Sequence, residues 1–364
     1  MRVLSQIWGA IQGYLFPYLE ESMGPLNEKQ KQLAALLEVV RVEEWVRESW
    51  RNRGRKPESR RALARAFVVK AVYNFSSTRA LIDYLENCPG VRRMCGYEKT
   101  SEIPHESTFS RAFEEFAVSE LPQRVHAALI EKHRKEVVVG HISRDSTAIE
   151  GREKPVPQPT PEKPERGPRK RGRPRRGEER PPKEPTVLER QAERSLEALL
   201  KELPQQCDRG VKRNSHGYQG SWTGYKLHVD CADGQIPVSA VLSSASVHDS
   251  QVAIPLAKMT AQRVTNLYDL MDAAYDAEPI REYSRSLGHV PIIDRNPRRG
   301  EKVEMDPATK ERYQERTSAE RVFSRFKDEF GGENVRVRGP VKVMAHLMFG
   351  ILVLTADQLL RLVM

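Results

Sequence analysis

Long apolar runs are missing from these 364 residues. The best membrane-spanning candidate, Val343 to Met364, contains His346, Asp357, Gln358 and Arg361, and its uninterrupted apolar stretch, Leu347 to Ala356, is ten residues long. A bilayer asks for about 20, so a buried C-terminal helix is expected instead. Met1 to Tyr18 also lacks the basic start, apolar stretch and small-residue cleavage site of a secretory signal. Cysteine is scarce. Cys88, Cys95, Cys207 and Cys231 form no CxxC pair, which argues against a disulfide scaffold or a zinc knuckle and for a soluble protein in a reducing compartment. The composition excludes collagen-like, coiled-coil and wholly disordered classes. Acidic residues are outnumbered, 50 against 60 Lys and Arg, for a formal charge of +10 and a pI near 9.4. Such a surplus suits nucleic acid, an acidic membrane surface or plain solubility.

Three zones separate along the chain. Residues 1–135 read as helical, with apolar residues at three- and four-residue spacing over Asn27 to Trp50 and Arg60 to Phe75. In Ser107 to Val118, Ser107 is placed as an N-cap ahead of Phe109 and Phe113. Residues 151–203 open with a stretch, 151–185, that holds ten of the 24 prolines and almost no apolar side chains, so no packed core is expected there. A short helix follows around Leu188 to Leu203. Residues 136–150 and 204–364 alternate strands and helices. Val137 to Ile149, Trp222 to Asp230, Pro237 to Val247, Asn266 to Asp272 and Val290 to Asp294 read as strands, with helix-like Asp249 to Met259 between the third and fourth. The order predicts a mixed α/β sheet.

Two strands end in carboxylates. The first runs out in Ser143-Arg144-Asp145-Ser146-Thr147, the fourth in Asp269-Leu270-Met271-Asp272. Ligand groups gather at strand ends in open α/β sheets, although an Asp there also simply caps the next turn. Farther on, Tyr313, Arg316, Glu320 and Lys327 fall within an arc of roughly 60° on a helix, while Ala319, Val322, Phe323, Phe326 and Phe330 take the opposite side. A solvated, ion-paired face accounts for the pattern but not for the tyrosine or the lone acid among bases. Asp145, Asp272 and Glu320 together offer oxygen ligands for divalent ions, and Arg316 and Lys327 offer charge for phosphates. Metal-dependent phosphoryl transfer on DNA is the chemistry these residues suggest.

Tyr313-x2-Arg316-x3-Glu320-x6-Lys327 resembles, without a gap, the YREK signature of bacterial DDE transposases of the insertion-sequence-four type. Asp272-Ala-Ala-Tyr275-Asp276 resembles their second-Asp motif, and Arg144-Asp145-Ser146-Thr147 their first. Gly224 to His228 and Val247 to Ser250 resemble intervening strands, and Ser107 to Arg111 and Leu121 to Arg124 the helical N-terminal region. The resemblance implies an RNase H-like catalytic core in 136–150 and 204–364, behind a helical DNA-binding or dimerisation domain. It implies that Asp145, Asp272 and Glu320 are catalytic and bind two Mg²⁺ or Mn²⁺ ions, and that Tyr313, Arg316 and Lys327 contact transposon-end DNA. The implied activity is cleavage at transposon ends and joining of the 3′ hydroxyl to target DNA, by a homodimer in a bacterial, nucleoid-associated cytoplasmic setting. Asp269 and Asp276 lie close to Asp272 but off the motif. His248 and Asp249 are candidates for supporting the site or for capping a turn.

The insertion supplies a second DNA-binding candidate. Residues 151–185 carry twelve basic against six acidic residues, so six of the ten surplus charges sit there. Within them Lys170-Arg171-Gly172-Arg173-Pro174-Arg175 resembles an AT-hook, in which an extended Arg-Gly-Arg lies in a narrow A·T minor groove. A basic tether that screens phosphates without reading sequence is the alternative. Two other readings of the whole chain are an RNase H-like nuclease without strand transfer and an inactive, transposase-derived DNA-binding protein.

Overall fold

The computed structural model describes residues 2–47, 57–156, 185–213, 218–296 and 304–364. The AT-hook-like Arg171, Gly172, Arg173 and Pro174 lie outside the described residues. Helix α1 (Arg2–Ala10) passes through a π-helical turn into α2 (Phe16–Met23). Helix α3 (Glu28–Val40) begins at a capping box: the Asn27 side chain accepts from the Gln30 amide, and Gln30 accepts from that of Asn27. It stops well short of Trp50, because Arg41 turns left-handed (φ 43°) and a 3₁₀ turn over Val42–Trp45 follows. Helices α4 (Arg60–Val72), α5 (Thr78–Asn87), α6 (Pro89–Cys95), α7 (Glu106–Val118) and α8 (Leu121–Arg134) complete the N-terminal layer. Ser107 is not the cap of α7. His105 takes that place, its Nδ1 accepting the Ser107 amide at 3.2 Å.

The second half builds one six-stranded sheet. Strand β1 (Val138–Glu150) is followed, beyond the insertion, by α9 (Val187–Glu193), α10 (Leu196–Glu202) and β2 (Asp208–Arg213). Then come β3 (Gln219–Ala232), β4 (Ile236–Ser244), α11 (Ser250–Ala261), β5 (Thr265–Met271), α12 (Glu278–Ser286) and β6 (Val290–Ile293). The strand order is β2-β3-β1-β5-β6, with β4 also paired to β3. Pairing is antiparallel among β1, β2, β3 and β4, and parallel from β1 through β5 to β6. The sheet is therefore mixed, as the alternation of strands and helices predicts. Strand β2 is an addition to the five expected. The segment between β1 and β3 is accordingly part structure: α9 and α10 pack on α11.

Helices α13 (Pro307–Gln314), α14 (Thr317–Glu329) and α15 (Pro340–Arg361) close the chain. By length and composition α15 suits a membrane, yet 89% of its apolar window is buried inside the protein. It packs against α8, α7, α4 and α3 on one side and β4 on the other. One hydrophobic cluster thus runs from Leu33, Leu63 and Phe109 through Leu352 to Val229 and Phe326. Glycine at 350 permits α15 a close approach, since a Cβ there would meet the Phe330 carbonyl oxygen at 2.3 Å. Asp357 of α15 accepts from Gln32 of α3, Arg325 of α14 and Arg361, each at 2.8 Å. That buried carboxylate ties α14 to the helical layer.

Candidate active site

Strand pairing brings the two strand-ending aspartates together. Strands β1 and β5 run parallel, and their last paired residues are Arg144 and Met271. Asp145 and Asp272 are the next residue on each, so they emerge side by side where β5 ends and β1 continues beside β3, on adjacent strands about 4.8 Å apart. Asp272 also caps the turn that follows, accepting the Ala274 amide at 2.9 Å. Asp145 accepts the Ser146 amide at 2.7 Å. Burial, assisted by the Asp272 charge, pushes the Asp145 carboxyl up to about 6, against the pull of the Ser146 amide and of Arg316. Asp272 is raised too, by burial and then by the charge of Asp249.

The opposite wall comes from α13 and α14. The span from Tyr313 to Lys327 is not one continuous helix. It tightens at Glu315 and Arg316 into i→i+3 bonds, Arg316 amide to Tyr313 at 3.0 Å and Ala319 amide to Arg316 at 3.2 Å. The cause is visible in the sheet: the Ser143 hydroxyl donates to the Glu315 carbonyl at 3.0 Å, pinning the bend two residues before Asp145 on β1. Arg316 is thereby aimed at the strand ends. Its guanidinium lies 3.7 Å from Asp145 and 2.7 Å from Glu320, with its cation over the Tyr313 ring at 5.7 Å. Burial pushes the Tyr313 phenol up to about 12, so it stays protonated at neutral pH.

Side chains on the other face of β1 hold the strand in place. Arg144 makes two bonds to Asp230 of β3, at 2.8 and 2.7 Å, and Thr260 of α11 donates to the same carboxylate at 2.6 Å. A buried ion pair survives desolvation only with this complement of bonds. Ser146 donates to Asp249 at 3.0 Å, and Lys226 of β3 donates to the same oxygen at 3.0 Å. Burial would weaken Asp249 as an acid, but His228 at 3.9 Å, then Lys226 and Ser146, outweigh it and hold the carboxyl below its ordinary value. His248 caps α11, its Nδ1 accepting the Ser250 amide at 3.3 Å. Of the two, Asp249 faces the site and His248 serves the helix. Sequence reasoning missed Ser143, Ser146 and Lys226. A polar Lys226-x-His228-x-Asp230 alternation on β3 was the available signal.

Thus Asp145, Asp272, Arg316, Glu320 and Tyr313 gather at one end of the sheet. Lys327 lies two turns beyond Glu320 and approaches Glu333 at 3.9 Å. Asp269 and Asp276 turn elsewhere: buried Asp269 bonds Ser284, His289 and Asn266, while Asp276 holds Arg281 and the Asn296 amide. Asp145 and Asp272 are hard oxygen donors, and burial together with a neighbouring carboxylate charge weakens each as an acid, Asp272 acting on Asp145 and Asp249 on Asp272, a set that a divalent cation suits. Glu320 instead engages Arg316, and among the described residues no group of three His, Cys, Asp or Glu side chains is placed to hold a metal ion.

Paired carboxylates on a mixed sheet, faced by an arginine from a helix, make an arrangement on an α/β core that suits phosphoryl transfer. Residues 145–356 match the family model described as Transposase DDE domain, and residues 19–115 the one described as Transposase domain (DUF772). The first match spans more than half of the chain, which therefore belongs to the DDE transposase family, with the RNase H-like core which that family implies. No curated protein and no solved structure gives a match.

Proposed function

We propose that this chain is a DNA transposase of the insertion-sequence-four (YREK) type, which cuts transposon ends and joins the freed 3′ hydroxyl to target DNA. The observation that carries the proposal is the register of β1 and β5, which sets Asp145 beside Asp272 opposite Arg316 and Glu320. Asp145, Asp272 and Glu320 are the proposed catalytic carboxylates and the ligands of two Mg²⁺ or Mn²⁺ ions. When bound, such ions supply Lewis-acid stabilisation of the attacking and leaving oxygens of a phosphodiester.

The chain's own groups prepare the site. At neutral pH Asp145, with its carboxyl near 6, is ionised. Arg316 now neutralises Asp145 and Glu320. On substrate binding its fork passes to the phosphate and frees both carboxylates. Tyr313, protonated, donates a hydrogen bond to the transposon-end backbone, and Lys327 adds charge farther along α14. The partners are duplex DNA at the ends and at the target, with a homodimer holding two ends. The basic insertion, through Arg171, Gly172, Arg173 and Pro174, supplies an AT-hook-like second grip. The setting is the cytoplasm of a bacterium, at the nucleoid.

The test uses duplex DNA carrying the inverted repeats expected to flank the gene. With Mg²⁺ or Mn²⁺ the protein nicks at the repeat end. Glu320→Ala retains DNA binding and loses cleavage by roughly 10²-fold or more, the scale for a group that acts on the transition state. Undiminished cleavage by Glu320→Ala refutes the assignment.

A further inference from the structure

One face of β1 and β5 carries a row of side chains in register. His141, Ser143 and Asp145 alternate onto that face of β1. Tyr268 of β5 is paired with His141 and Leu270 with Ser143, and Asp272 comes next in the same alternation. The chain that leads into α14 meets this row at three successive positions. The Arg312 guanidinium lies 4.7 Å from the centre of the Tyr268 ring, the Glu315 carbonyl accepts from Ser143 at 3.0 Å, and Arg316 stands 3.7 Å from Asp145. The first of these contacts is remote from the acids. His141 and Tyr268 each precede an acid by four residues, about 13 Å along a strand.

Helix α13 needs such a hold. None of its eight residues is buried, so it lacks the apolar face that fixes α14 and α15. Arg312 is itself exposed, and its ring contact is what this helix makes with the sheet at the His141 and Tyr268 position. The ring is backed in turn. His141 stacks on Tyr268, with centroids 5.3 Å apart and planes 24° from parallel. Asp233, in the turn between β3 and β4, accepts from the His141 amide and from its Nδ1, each at 3.0 Å. The platform under Arg312 is thus braced from a third strand pair, while the helix it carries is not.

We propose that Arg312 and Tyr268 are positioning residues for the reaction. The cation seated on the ring fixes α13 along the sheet, and so places Tyr313, the next residue, and Arg316, one turn farther, at the site. Neither Arg312 nor Tyr268 is assigned a contact with DNA. The inference rests on the transposase reading and adds to it a pair outside the YREK signature. An exposed cation–π contact shifts an equilibrium by roughly two- to fivefold.

Hydrogen exchange and cleavage by the full chain test it together. In the DNA-free protein Arg312→Ala speeds exchange of the α13 amides by roughly two- to fivefold at an unchanged Tm, and Arg312→Lys restores protection. On repeat-end duplex with Mg²⁺, Arg312→Ala lowers kcat by a like factor and Arg312→Lys recovers it. Tyr268→Phe keeps the ring and the rate, Tyr268→Leu matches Arg312→Ala, and the double variant of Arg312→Ala with Tyr268→Leu is no slower than either alone. The salt slope of DNA binding stays as in the parent, whereas a direct phosphate contact through Arg312 would make its loss lower the slope by about one. Exchange indifferent to Arg312→Ala overturns the seat. An unchanged kcat, additive losses in the double variant or a lowered salt slope overturns the positioning role. An unaltered protein that leaves repeat ends uncut overturns the transposase reading, and the positioning role with it, while exchange still reports on the seat.

Discussion

Asp145→Asn should make the protein more stable while destroying its activity. The Asp145 carboxyl is pushed from the ordinary 3.8 to about 6, first by burial and then by Asp272. A folded-state value above the unfolded one means that the native chain holds this proton longer. Stability from this group is therefore fullest below about pH 4 and is lost as pH rises through about 6. A shift of roughly two units corresponds to about 3 kcal/mol at pH 7.5 and only about 1 kcal/mol at pH 4.5. Asparagine keeps an oxygen for the Ser146 amide and removes the charge. It also gives up the Arg316 attraction at 3.7 Å, so the net gain at pH 7.5 is nearer 1–3 kcal/mol. Urea unfolding of both proteins at the two pH values reads this directly. Mg²⁺ or Mn²⁺ should narrow the gap at pH 7.5 by stabilising the parent. A variant that is less stable at pH 7.5, or a gap equal at both pH values, refutes the reasoning.

Three further outcomes follow from the same geometry. Asp230→Ala strands Arg144 in the core beneath the site and should cost about 3–5 kcal/mol in urea unfolding, against no measurable change if the pair is dispensable. Gly350→Ala forces a methyl against the Phe330 oxygen and the Phe326 ring, at 2.3 and 2.8 Å. It should cost about 1–3 kcal/mol by thermal unfolding, and an unaltered Tm contradicts the packing described. Arg316→Ala removes a charge that lowers the Asp145 carboxyl, so the acid limb of the cleavage pH profile should move upward. A slower reaction with an unmoved limb would assign Arg316 to substrate alone.

The parts of this protein that announce themselves in sequence are those with strong local signals. Strand β1 turns from apolar to polar at Ser143, and that switch marks where its pairing with β5 gives out and Asp145 begins. The aromatic stripe Val322, Phe323, Phe326 and Phe330 fixes the buried side of α14, and with it the side that shows Glu320. What stayed hidden depends on partners far along the chain. Strand β2 has Val211 as its only aliphatic residue and is a strand because β3 templates it. The bend at Glu315 follows from a hydroxyl on Ser143, 172 residues earlier, which no helical periodicity registers. His105 rather than Ser107 is the cap because α7 begins one residue earlier, at Glu106, where the His105 imidazole accepts the Ser107 amide. Asp269 is held by Ser284, His289 and Asn266, and Asp276 by Arg281 and Asn296, whereas Asp272 directly follows the last residue of β5 paired with β1.

Strand joining with pre-cut ends separates a transposase from a nuclease. Duplex repeat ends bearing a 3′ hydroxyl, incubated with the protein, a divalent cation and a supercoiled target, should yield covalently joined product. The same ends terminated with a 3′ dideoxynucleotide should yield none, and neither should Asp272→Ala with hydroxyl ends. Joined product that is indifferent to the 3′ hydroxyl, or cleavage of uncut ends with no joining under any condition, would refute strand transfer by this protein.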